Sequence, residues 1–237
     1  MKQKNKKGRA ILLQILFFGV MVLMLLFPTL WAQAKDTAWN HRSVTRPTSP
    51  GILTEEARSI PVLYTLHSAA QSRNKMELLQ PGKTQQEIVP ILNEMLEQLT
   101  QADVLTQADL THLQTMLEQP TPNLEIEENR FYTAYRLDWW KKQTHLGQIW
   151  ILFSTEDRRV VEIFVSTEQT DAPEEILQAY SKYLGVDALQ NWSVQETDTE
   201  NAVKWHSQIG QATLFCSLQK GQLHLSITAD DTPYNHF

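Results

Sequence analysis

The chain has 237 residues, 21 Lys and Arg against 27 Asp and Glu, one cysteine and eight glycines. An acidic balance argues against binding nucleic acid or other polyanions, and one cysteine excludes an intramolecular disulfide. Neither G-x-G-x-x-G nor a P-loop occurs, so no phosphate-cradling loop is expected.

The first element is an export leader. Lys2, Lys4, Lys6, Lys7 and Arg9 form a basic front. An apolar run follows over residues 10–27, interrupted by Gln14 and stopped by Pro28. Ala32-Gln33-Ala34 then offers the small residues that a signal peptidase reads. Two fates are open. The segment is cut after Ala34, or it remains as an anchor, because residues 10–31 approach the roughly 20 residues needed to span a bilayer. In both, the basic end stays in the cytoplasm and the rest is delivered outside. The expected localisation is the cell membrane with the C-terminal part outside, or release after cleavage at Ala34. The absence of paired cysteines favours a bacterial envelope over a eukaryotic secretory route. Removing the five leading bases leaves 16 bases against 27 acids, a net charge of −11. That surface suits a cationic ligand or a basic partner.

Residues 35–51 read as a flexible tether with Pro47, Pro50 and Gly51. Residues 52–119 read as helical. One helix is expected over 54–73, with Pro61 marking a first turn or a kink. A second opens at Thr84-Gln85-Gln86-Glu87, a capping box, and carries a stripe of Ile88, Ile91, Leu92, Met95, Leu96 and Leu99. A third opens in the same way at Thr106.

From residue 120 to 229 the period changes to two, and an antiparallel α+β domain is expected. Strands are predicted over 130–139, 147–154 and 158–166. A helix over 172–184, ended by Gly185, separates them from strands over 192–196, 202–208, 211–218 and 222–228. The fold class is α+β: an N-terminal membrane or signal helix, a helical segment, then six to seven mostly antiparallel strands with a helix between the two halves of the sheet. One helix plus three strands recurs about 65 residues apart, an internal rhyme without residue identity. Residues 230–237 read as a polar tail.

No catalytic signature is present. There is no G-x-S-x-G, S-x-x-K or H-E-x-x-H. His206 and His224, both in late strands, are the weak candidates for a metal site. Neighbouring strand residues face opposite ways, so Trp139 and Trp140 cannot both enter one core. An exposed indole beside Lys141 and Lys142 is the candidate binding site, for a protein segment or a sugar. The expected function is a non-enzymatic binding or sensing module of the cell envelope. It meets the membrane through its N-terminal segment and a second envelope protein through its folded part, without a cofactor. The alternatives are a glycan or small-ligand binder using Trp139 or Trp140, and a metal-dependent enzyme using His206 and His224.

Overall fold

The computed structural model describes residues 53–72, 76–79, 83–120, 123–141, 144–189, 191–197, 199 and 201–230. The leader, Ala32 and Ala34, the whole tether, Lys142 and residues 231–237 lie outside the described residues. Among the described residues, no helix is long and apolar enough to cross a membrane.

Two helices, α1 (Glu55–Arg58) and α2 (Pro61–Ser72), replace the single helix expected over 54–73. Pro61 disfavours a helical Ile60 and suits a first helical position, so the helix restarts there. The helical region also holds a strand, β1 (Glu77–Leu79), too short to show a period in sequence. Helix α3 (Gln85–Gln101) starts at the expected capping box, where Glu87 accepts from the Thr84 amide at 2.7 Å. Helix α4 (Gln107–Leu117) starts at Thr106, whose hydroxyl accepts from the Asp109 amide at 3.1 Å.

The strands that follow are β2 (Asn123–Glu128), β3 (Tyr132–Lys141), β4 (Thr144–Ser154) and β5 (Val160–Ser166). Helix α5 (Pro173–Leu184) precedes β6 (Trp192–Gln195), β7 (Ala202–Ser207), β8 (Ala212–Gln219) and β9 (Gln222–Ala229). Gly185 ends α5 with φ of +74°, a left-handed conformation that costs glycine little.

All nine strands make one antiparallel sheet in the order β1-β2-β3-β4-β5-β9-β8-β7-β6. The expectation of six to seven strands is therefore low by the two short leading strands. The internal rhyme is fuller than the sequence suggests. Each of α4 and α5 is followed by a four-strand meander, and the two meanders join through their last strands, β5 and β9.

One face of the sheet is apolar and carries the helices. Tyr135, Leu137 and Trp139 of β3, Ile149 and Ile151 of β4, Ile163 and Val165 of β5, and Leu225 and Ile227 of β9 are buried there. They share one cluster with Ala57, Leu63, Leu92, Leu113 and Tyr180, one from each helix. Gly147 shows how closely α4 approaches: a Cβ there would stand 2.4 Å from Met116 Cε. Helix α5 is tied to β5 by Tyr180, whose hydroxyl donates to the Val160 carbonyl at 3.0 Å. The Val160 amide donates in turn to the Tyr183 hydroxyl at 3.0 Å. Buried His67 of α2 bonds the Gly210 carbonyl through Nε2 at 3.0 Å. A carbonyl only accepts, so that nitrogen carries the proton.

Candidate functional site: the helix-free face of the sheet

The side chains of opposite parity form the second face, which carries no helix among the described residues. Register carries one row across it: Arg136 opposite Trp150, Trp150 opposite Phe164, Phe164 opposite His224, and His224 opposite Ser217. A neighbouring row runs from Leu152 through Glu162 and Ser226 to Phe215. Trp150, Phe164, His224 and Phe215 are half-buried rather than buried. Apolar rings left in this state on a sheet face differ from the fully buried Leu and Ile opposite them.

At the centre, His224 Nε2 lies 2.9 Å from Glu162 Oε1. The imidazole is flanked edge-on by Phe164 and Phe215, with ring centroids 6.0 and 5.4 Å away. The His224 side chain stays 31% exposed beside these rings, while its partner Glu162 is buried. Two further histidine–carboxylate pairs border this centre. His206 Nε2 lies 2.9 Å from Asp230, which also accepts from the Thr213 hydroxyl at 3.5 Å. His145 lies 3.7 Å from Asp138, which Arg136 holds at 3.1 Å.

The tryptophan pair divides as strand alternation requires. Trp139 is buried, and its indole N–H donates to the Gln119 carbonyl at 3.3 Å. Trp140 is 47% exposed. A bulge at this point places it opposite His145, and the two rings stand 4.8 Å apart. Bulges re-aim side chains and end regular pairing, which is the local reason for the exposed indole. Lys141 closes β3; Lys142 lies outside the described residues.

His206 and His224 share this face but do not converge. His206 is in register with Thr213 and Thr213 with Thr228, four residues from His224 along β9. That is a separation of about 16 Å across two strand spacings. Each imidazole takes its own carboxylate. Among the described residues, no group of three His, Cys, Asp or Glu is placed to hold a metal ion.

Cys216 projects to the helical face and is buried. Burial, and secondarily the Glu174 charge, pushes its thiol up to about 12, so it stays protonated at neutral pH. Burial likewise raises the phenols of Tyr132 and Tyr180 well above their ordinary value. The Tyr132 hydroxyl has no hydrogen-bond partner among the described residues.

A cleft of about 350 Å³ lies between Tyr64 and Ser68 of α2 and the turns bearing Arg130 and Glu156. It holds no histidine and no convergent pair of carboxylates.

Sequence reasoning missed Glu162, Phe164 and Phe215. Alternation along β5 puts Glu162 and Phe164 on one side, which is legible. The partnership with His224 is not, because α5 and three strands separate β5 from β9. Comparison with protein-family models, curated proteins and solved structures returned no match.

Proposed function

We propose that the chain is an extracytoplasmic, non-enzymatic binding module of a bacterial cell envelope, held to the membrane by its leader or released after Ala34. The helix-free face of the sheet is its contact surface. The observation that carries the reading is the half-buried ring row around His224–Glu162, continued by exposed Trp140. Interfaces favour aromatic side chains bordered by polar ones, and this face has that composition. The leader and the net charge of −11 beyond it fit a domain that works outside the membrane.

Two measurements test the reading. A reporter enzyme active only outside the cytoplasm, fused after residue 237, is expected to be active and to lose activity when residues 1–34 are deleted. Affinity capture from envelope fractions is expected to retain a specific protein that is lost with Phe215→Ala and kept with Glu118→Gln on exposed helical surface. An inactive fusion, or a captured protein indifferent to both substitutions, contradicts it.

A second reading has its own support. The Trp140–His145 pair, with an exposed indole, presents a flat apolar surface beside a polar ring, as sugar stacking requires. Neutral oligosaccharides that shift the tryptophan emission of the native chain, but not of Trp140→Ala, would favour it. An unchanged spectrum across such a panel removes it.

A further inference from the structure

We propose that the face around Glu162 and His224 docks an extended, arginine- or lysine-bearing segment of a partner protein. The inference rests on the reading of that face as the contact surface and adds the chemistry of what it contacts.

Three observations carry it. First, Phe164 and Phe215 bracket the Glu162–His224 pair, so a carboxylate and two aromatic rings share one spot. Ring faces and a carboxylate together attract a cationic side chain more than either does alone. Second, Glu162 and Asp230 are matched here by imidazoles rather than by lysine or arginine. His224 engages Glu162 through Oε1 alone, which leaves Oε2, on a side chain 11% exposed, as an acceptor for a cation. Third, the chain beyond the leader carries a net charge of −11, which steers basic segments toward it and repels acidic ones.

Register also sets a spacing. Glu162 lies opposite Ser226, and Asp230 follows Ser226 by four residues. The two carboxylates are therefore about 14 Å apart, one strand over and four residues along. An extended peptide repeats on one face every two residues, about 7 Å, so cations at positions i and i+4 match both acids.

The test uses the full chain in a nonionic detergent and three labelled Gly/Ser decapeptides. One carries Arg at i and i+4, one carries Glu there, and one carries neither. Fluorescence anisotropy at 50 and 300 mM salt reads binding. The arginine peptide is expected to bind at least tenfold more tightly than the uncharged one, and less tightly at high salt. Glu162→Gln and Phe215→Ala are each expected to weaken it at least tenfold, while Glu118→Gln stays within twofold. Should Glu162→Gln fail to fold, Phe215→Ala decides alone. Equal affinity for the arginine and uncharged peptides overturns the proposal. Equal loss with Glu118→Gln and Glu162→Gln also overturns it, since that reports bulk charge. Glutamate-peptide binding that Phe215→Ala abolishes overturns the basic partner yet leaves the face as the contact surface. A captured envelope protein indifferent to Phe215→Ala removes the face itself.

Discussion

Asp109 shows how much one side chain does in this fold. It is buried, and one oxygen accepts from the Thr167 hydroxyl at 2.8 Å and the Glu168 amide at 3.0 Å. The other accepts from the Thr106 hydroxyl at 2.6 Å and the Thr106 amide at 3.2 Å. It caps α4 and fastens that helix to the end of β5. Asp109→Ala strands these donors and is expected to cost about 3 kcal/mol, read as a lower urea midpoint at unchanged slope. Cys216 gives a second prediction. Its folded-state pKa is raised from 9.0 to about 12, so its contribution to stability is complete below pH 9 and lost as pH rises toward 12. Native protein at pH 8 is expected to resist iodoacetamide and to take up one equivalent after denaturation. The bonds of Asp109 to Thr167 and Glu168 were not legible in the sequence, because those residues lie 58 and 59 positions away. At Glu87 the sign is opposite: its hydrogen bonds to Thr84 lower its pKa from 4.5, so the capping-box contribution is lost only as pH falls below that range.

Elements with a local cause were legible, and those with a distant cause were not. The capping boxes of α3 and α4 and the glycine stop of α5 all act within a few residues. The pairing of β5 with β9 depends on closing a long connection, which no local pattern reports. β1 owes its existence to the edge offered by β2 and not to its three residues. Packing of α4 on β4 supplies the element-scale prediction. Gly147→Ala puts a methyl against the flexible tip of Met116, which can give way, and is expected to destabilise by no more than about 1 kcal/mol. Met116→Ala in the same chain is expected to recover part of that loss, because the clash is with the tip of one flexible side chain. A double-mutant cycle in urea measures the coupling; strictly additive losses would contradict the contact.

At the scale of the whole molecule, a two-layer arrangement separates stability from contact. One side of the sheet shares a single apolar core with the five helices among the described residues, and the other carries rings, imidazoles and carboxylates. Helices and sheet are therefore expected to unfold together, with coincident urea transitions by far-UV circular dichroism and tryptophan fluorescence. The sequence pointed to an exposed indole at Trp139 or Trp140 without deciding between them, and not to the larger surface beyond it. Assembling that surface takes four strands drawn from both meanders. The most direct test of the central claim is photo-crosslinking in intact cells, with a photoreactive side chain placed at position 140 or 215 on the helix-free face, or at 64 or 118 on the helical side. The account predicts one discrete adduct from 140 and 215 and none from 64 and 118. Equal yields from both sides, or adducts only from the helical side, would contradict it.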